Sequence, residues 1–473
     1  MEECKMLIGG RWVQGENYFE VRNPYTNDVL ARVPEASPED VKSAVAEARR
    51  AFDTNRELPA YRRSEILENT SRLIAGDKED FVRTISLESG KPIKASRKEV
   101  ERAVLTFRFA AEEAKRIAGE TIPMDAAPGS ERHFGFYIRE PVGVVAALTP
   151  FNFPLNLVAH KVAPAIAAGN AVVLKPASAA PLSALKLCRT MTEAGVPAGL
   201  LNIVTGKGST VGEALVSGEV NMVTFTGSPD VGRRIKQLAG MANVTLELGS
   251  NSATIIDESA DLETAVPRCI TGAFSFSGQV CISIQRLYVH RNIYEKFLAE
   301  FIPKVEELRI GDPLSEKTDI GPMISEEAAR RALAWIQEAQ RDGANILTGG
   351  RRNGRILEPT VLANLKPDMK IMCLEAFAPV VSVIEFEEFE EAIEMVNNSI
   401  FGLQAGVYTQ NVANAFKAIK KLNVGGVMIN EIPTFRAEHM PYGGVKESGI
   451  GREGVRFAVE EMTNIKMVSF NLE

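Results

Sequence analysis

The stretch Val142-Gly-Val-Val-Ala-Ala-Leu-Thr-Pro-Phe-Asn-Phe-Pro154 decides the fold. Its first seven residues are apolar without polar alternation, the pattern of a strand covered on both faces. A helical pattern follows over 153–168, then a second apolar strand, Ala171-Val-Val-Leu-Lys175. Working outward, helices at 182–193, 208–216 and 230–238 alternate with strands at 200–204 and 222–225. Short apolar strands separated by helices build a parallel sheet with helices on both sides, a nucleotide-binding type of architecture. A second alternating set starts at 252–256 and runs to about residue 430. The expected class is α/β, with two doubly wound parallel-sheet domains.

Toward the N-terminus, residues 6–32 read as short strands with turns. Ser37-Pro-Glu-Asp40 is a helix start: a capping serine, a proline at the first helical position and an acidic first turn. Helices are expected at 60–75 and 78–89, and a long amphipathic one over 96–118, ended by Gly119 and Pro123. Residues 123–140 are polar and then alternate as His133-Phe-Gly-Phe-Tyr-Ile-Arg139, an extended excursion from the core. The segment 465–470 alternates like an edge strand, to pair with that excursion or with another subunit. The expected division is a dinucleotide-binding domain (1–122 and 141–247), a catalytic domain (248–435) and a β arm for oligomerisation (123–140 and 455–473).

A chain of 473 residues, 45% apolar and 24% charged, is globular and too long for one ordinary core. A net charge of -7 with dispersed Lys and Arg argues against a nucleic-acid partner. No apolar run reaches about 18 residues, so no membrane span is read. The acidic N-terminus lacks a secretory pattern. Five scattered cysteines fit a reducing, cytoplasmic setting, and neither they nor the four histidines have metal-site spacing.

Cys281 follows a small-residue approach, Ser277-Gly278, and a cysteine can attack a carbonyl covalently. Glu247 could activate a water for release of the acyl group. Strand 222–225 runs into Thr226-Gly-Ser-Pro229, where Ser228 caps a helix, Pro229 begins it and Gly227 lets an anion approach the backbone. No GxGxxG fingerprint occurs; Gly206-Lys-Gly-Ser-Thr-Val-Gly212 has a longer second gap.

Further motifs accompany these: Thr149-Pro-Phe-Asn-Phe-Pro154, Leu174-Lys-Pro-Ala-Ser178, Phe225-Thr-Gly-Ser228, Glu247-Leu-Gly-Ser-Asn251, Gly278-Gln-Val-Cys281, Glu375-Ala-Phe-Ala-Pro379 and Pro441-Tyr-Gly-Gly-Val-Lys-Glu-Ser-Gly449. In order and spacing they resemble the NAD(P)-dependent aldehyde dehydrogenase superfamily over essentially the whole chain. The chain is similar to members of the hydrolytic branch such as lactaldehyde, phosphonoacetaldehyde and succinate-semialdehyde dehydrogenases. The resemblance implies an aldehyde dehydrogenase-like fold, a homodimer or homotetramer, and NAD or NADP as cofactor. It implies Cys281 as nucleophile, Asn152 with the Cys281 amide as oxyanion donors, and Glu247 as the hydrolytic base. Cofactor contacts are expected from Lys175, Ser178, Gly208, Gly212, Thr226, Gly227, Ser228, Leu248, Glu375 and Phe377. NAD-preferring members often carry a carboxylate where Ser178 stands; a neutral residue there removes repulsion of a 2′-phosphate. For the substrate, Arg102, Phe153, His160 and Arg436 are expected around the tunnel, which favours a small polar or anionic aldehyde. Val280 stands where the glyceraldehyde-3-phosphate branch tends to have arginine, which counts against that substrate. The rival readings are a coenzyme A-acylating dehydrogenase, a branch that generally lacks the glutamate, and a non-catalytic crystallin-like homologue, which would lose Cys281 or Glu247.

Overall fold

The computed structural model describes residues 2–472. The strands of the opening stretch lie at the centre of an eight-stranded sheet. Its order is Gly449–Ile450, Asn243–Glu247, Met222–Thr226, Val144–Leu148, Ala171–Lys175, Leu201–Ile203, Met6–Ile8, Arg11–Val13. The five inner strands from Asn243–Glu247 to Leu201–Ile203 are parallel, and antiparallel strands close both edges. Chain order reverses at Val144–Leu148, whose neighbours on the two sides are Ala171–Lys175 and Met222–Thr226. A crevice opens at the carboxyl ends of strands where such a reversal occurs. The loops after Leu148 and Thr226 both end there.

A second, seven-stranded sheet has the order Asn345–Thr348, Thr360–Ala363, Val380–Phe386, Arg286–His290, Ala253–Ile256, Gln404–Tyr408, Gly426–Ile429, parallel except for its first strand. The chain passes from the carboxyl end of Asn243–Glu247 straight into the start of Ala253–Ile256. Segments entering this second sheet therefore face segments leaving the first.

Most expected elements are present, with bounds moved by identifiable chemistry. The long helix runs Ile93–Glu113, and its end tightens because the amides of Lys115 and Arg116 donate three residues back, to Glu112 and Glu113. The helix expected from Phe153 begins at Asn156, since Pro154 disfavours helical backbone in the residue before it. The segment Gly208–Gly212 is a wider π turn that becomes α-helical only over Glu213–Val216. The terminal strand Thr463–Asn471 pairs antiparallel with His133–Pro141, the first of the two pairings expected above. The helix Val455–Glu461 departs from the arm expected over 455–473. Val455, Ala458, Val459 and Met462 are buried, and Val455, Val459 and Met462 join the core of the first sheet. Among the described residues no helix is long and apolar enough to cross a membrane.

One buried ion pair sets where the site's first loop ends. The Glu99 carboxylate, on helix Ile93–Glu113, accepts from the amides of Leu155 (2.9 Å) and Asn156 (3.1 Å) and pairs with the Lys91 ammonium. It thus caps the helix Asn156–Ala168, and an anion there is favoured by the helix dipole. Glu99→Ala leaves Lys91 unpaired in the interior and two amides without an acceptor. Breaking a buried pair this way costs about 3–5 kcal/mol. Calorimetry should show a clearly lowered unfolding midpoint, and a midpoint within about 1 °C of wild type would contradict the assigned role.

Candidate active site

The nucleophile candidate sits on a strained turn. Helix Leu262–Phe274 stops, and Phe276 (φ 49°), Ser277 (φ 54°) and Gly278 (φ 67°) follow in left-handed backbone. Non-glycine residues in that region carry a cost and persist only where the surroundings impose it. Here they do: the Ser277 hydroxyl donates to Gly321 O (2.8 Å), and the Gln279 side-chain oxygen accepts from the Ile324 amide (2.9 Å). A β-carbon on Gly278 would overlap Ala378 O. The turn delivers Cys281 to the meeting point of two cavities, and Cys281 lines both.

The first cavity, about 270 Å³, lies at the reversal point of the eight-stranded sheet. Asn152, Thr226, Gly227, Ser228 and Leu248 line it from that sheet, and Glu375 and Phe377 from the other side. The Ser228 hydroxyl caps helix Pro229–Leu238, so its N-terminal end faces the cavity, an arrangement suited to phosphate. The Thr226 hydroxyl is buried without a partner, and Glu375 comes close because residue 249 is glycine, whose β-carbon would overlap the carboxylate. Burial pushes the Glu375 carboxyl up to about 7, against the pull of the Ser250 amide that donates to it at 2.9 Å. These features fit a dinucleotide. Lys175, Ser178, Gly208 and Gly212 do not line this cavity. They stand beyond it, where Lys175 donates to Pro176 O (2.7 Å), Ser178 donates to Gly206 O (2.7 Å) and Gly212 packs against the Lys175 stem.

The second cavity, about 320 Å³, approaches Cys281 from the opposite side. Arg102, Phe153 and Arg436 line it, as expected from the sequence. His160 does not. Its ring is fully buried behind the wall and bonds Glu438, which also pairs with Arg102 and accepts from Asn156 Nδ2 (3.3 Å). His160 therefore contacts Glu438 and not the cavity, unlike the expectation from the sequence. Burial lowers its tendency to ionise.

Glu247 ends strand Asn243–Glu247 and is 2% exposed, and neither carboxyl oxygen has a hydrogen-bond partner. Burial, reinforced by the charge of Glu453, raises its carboxyl well above the ordinary range. Asn152 Nδ2 donates to Gln279 O (3.0 Å), which leaves its second N–H for another acceptor. Burial pushes the Cys281 thiol up to about 11, partly offset by the Tyr442 hydroxyl and Arg436. Among the described residues no group of His, Cys, Asp or Glu is placed to hold a metal.

Comparison with known proteins decides the family. Residues 12–468 match the model of the aldehyde dehydrogenase family. The 3-sulfolactaldehyde dehydrogenase of Priestia aryabhattai is 47% identical over 473 residues, covering 100% of this chain and 99% of that one. The structure of aldehyde dehydrogenase 21 from Physcomitrella patens, solved with the reaction product succinate, superposes with a TM-score of 0.98 at 40% identity, covering 100% and 98% of the two chains. A glyceraldehyde-3-phosphate dehydrogenase from Methanocaldococcus jannaschii complexed with NADP gives 0.93 at 41% identity, covering 96% and 100%. The chain belongs to the aldehyde dehydrogenase family. It is an NAD(P)-dependent aldehyde dehydrogenase with the α/β fold of its solved relatives.

Several residues at this aldehyde dehydrogenase site had no role in the sequence reading. Tyr442 touches Cys281, Glu438 and Glu453 hold the arginines, and Lys91, Lys98 and Arg268 line the second cavity. Tyr442 stood inside a quoted motif, but its hydroxyl reaches Cys281 across 161 residues, a contact that no local pattern encodes. Gly278→Ala should cost about 1–3 kcal/mol of backbone strain and displace the sulfur. A shift of about 1 Å is enough to lower kcat roughly 10²-fold. Steady-state turnover checks this, and wild-type kcat would show that the turn tolerates a side chain.

Proposed function

We propose that this enzyme oxidises a small aldehyde bearing an anionic group at its far end, with release of the free acid. The observation that carries the substrate class is the lining of the second cavity. Lys91, Lys98, Arg102, Arg268 and Arg436 face it, with Glu99 as the single carboxylate on its wall. The other partners of these arginines, Glu431, Glu438 and Glu453, bind from behind. Arg102 spends Nε and Nη2 on Glu438, and Arg436 spends Nη2 on Glu453, so both keep donors for a ligand. Lys98 is exposed and has no ion-pair partner among the described residues. The relative with 47% identity is named for a sulfonate-bearing aldehyde, and the neighbour with TM-score 0.98 holds a dicarboxylate, which supports the same class.

In the proposed sequence, the Cys281 proton passes to solvent water in the cavity and Sγ forms a bond to the aldehyde carbon. The oxygen becomes an oxyanion, stabilised by the second N–H of Asn152 and the Cys281 amide; such a donor contributes roughly 2.7–4 kcal/mol. A dinucleotide in the first cavity would supply the hydride acceptor; the Ser228 helix end would hold its phosphates and Glu375 its nicotinamide end. Glu247 then takes a proton from the water that adds to the thioester carbonyl, and the C–S bond breaks. Burial raises the affinity of this partner-free carboxyl for a proton, which strengthens it as a base toward water. This favours hydrolysis over transfer to coenzyme A. For the dinucleotide, burial brings Lys175 down to about 8, so it is charged below that pH, and Ser178 presents no negative charge. NADP is then accepted at least comparably with NAD.

Glu247→Gln should slow deacylation more than acylation. A pre-steady-state burst of reduced dinucleotide should persist while steady turnover collapses. Equal loss of both phases would assign Glu247 another role. Arg102→Ala should raise KM for an anionic aldehyde such as succinate semialdehyde by about tenfold or more, since charge-assisted bonds contribute roughly 1.5–3 kcal/mol each. KM for propanal should change little, and a parallel rise for both substrates would sink the anionic assignment.

A further inference from the structure

We propose that Tyr442 is a catalytic residue of this enzyme: its phenol donates a hydrogen bond to the Cys281 thiolate and thereby sets the reactivity of the nucleophile. This rests on Cys281 being the nucleophile, as proposed above. The Tyr442 hydroxyl lies 3.0 Å from Cys281 Sγ, and among the described residues that oxygen has no other hydrogen-bond partner. A thiolate formed here is otherwise poorly served. The charged or titratable groups facing it are Arg436, Glu375 and Glu247, of which two are carboxyls that oppose a negative sulfur. The phenol is the group positioned to compensate.

The ring that carries it is built in rather than incidental. The Arg436 guanidinium lies 3.8 Å from the centre of the Tyr442 ring. A cation over the face of a phenol attracts its π electrons and makes the O–H a better donor. Arg436 is held in turn by the Glu453 carboxylate at 3.0 Å. The backbone of the same Glu453 exchanges two hydrogen bonds with the backbone of Tyr442, at 2.7 and 3.0 Å. One residue therefore fixes both halves of the guanidinium–phenol sandwich. Burial raises the Tyr442 phenol well above its usual value and the thiol up to about 11; the phenol's hydrogen bond eases ionisation of the sulfur, whereas the sulfur opposes ionisation of the phenol. An unperturbed thiol ionises well below a phenol, so the proton of the pair stays on oxygen when the sulfur becomes negative.

The test measures the sulfur directly. Wild-type protein without dinucleotide is alkylated with iodoacetamide across a pH series, and the Cys281 peptide is followed by mass spectrometry. Tyr442→Phe removes only the hydroxyl. Its alkylation inflection should move up by about one pH unit, with about tenfold slower modification on the acidic side. Placing 2-fluorotyrosine at position 442 keeps the ring and makes the phenol a stronger donor that is still a weaker acid than an unperturbed thiol, and should move the inflection down. Opposite shifts in the two proteins support the proposal, whereas unchanged inflections in either protein overturn it. Should Tyr442→Phe fail to fold, the fluorinated protein alone decides, since a purely structural tyrosine would leave its inflection in place. Turnover by Cys281→Ala would instead refute the nucleophile reading, which the alkylation titration does not depend on.

Discussion

A buried carboxylate, Glu453, sits between Lys161 and Arg436, and the geometry around Cys281 depends on it. Lys161 Nζ approaches one oxygen at 2.8 Å and Arg436 Nη2 the other at 3.0 Å, all three side chains being almost wholly enclosed. Burial alone would raise this carboxyl, but the two cations outweigh it and hold it at about 2. An unpaired charge at that depth would carry a penalty of several kcal/mol, so the arrangement exists only with all members present. Lys161 also donates to Thr224 at 3.1 Å, which ties helix Asn156–Ala168 and strand Met222–Thr226 to the C-terminal loop that carries Tyr442. Asn152, Glu247 and Cys281 come from three separate segments, and this junction lies between them.

The same cluster explains why two neighbouring glutamates differ. Glu453 takes the cations and stays ionised. Glu247 has burial without a hydrogen bond, and the Glu453 charge pushes its carboxyl further up. Environments that separate the pKa values of nearby carboxyls divide structural from chemical duty. Strain is distributed in a similar way. Left-handed non-glycine backbone occurs at Phe276 and Ser277 before Cys281 and at Phe377 beside the first cavity. The first is anchored by the Ser277 and Gln279 hydrogen bonds, and beside the second the Ala376 amide donates to the buried Gln285 Oε1 at 3.0 Å, the kind of support under which such conformations persist.

The alternation of apolar strands with helices at 142–238 determined the two-sheet α/β class, because a strand without polar alternation must be covered on both faces. The Ser228–Pro229 helix start and the small-residue approach to Cys281 were legible for local reasons: caps and turns are set by residues close in sequence. The order of motifs likewise placed Cys281, Glu247 and Asn152 in a family whose membership the comparisons establish. The tertiary structure decided the rest. His160 resembled a substrate contact by its spacing from Asn152, yet it faces Glu438 behind the wall, since which side of an enclosed helix meets a cavity depends on what packs around it. The segment 455–462 resembled an arm by its place in the chain, yet its helix completes the first core. Lys91 and Glu99 carried no reading from the sequence, and packing encloses them as a pair. The Tyr442–Cys281 and Arg102–Glu438 contacts join residues 161 and 336 positions apart. Local sequence specifies periodicity, caps and reactive residue types. Which distant charges share one desolvated space, and hence which are neutralised and which remain reactive, is set by long-range packing, because electrostatic cost depends on burial and neighbours rather than on position in the chain.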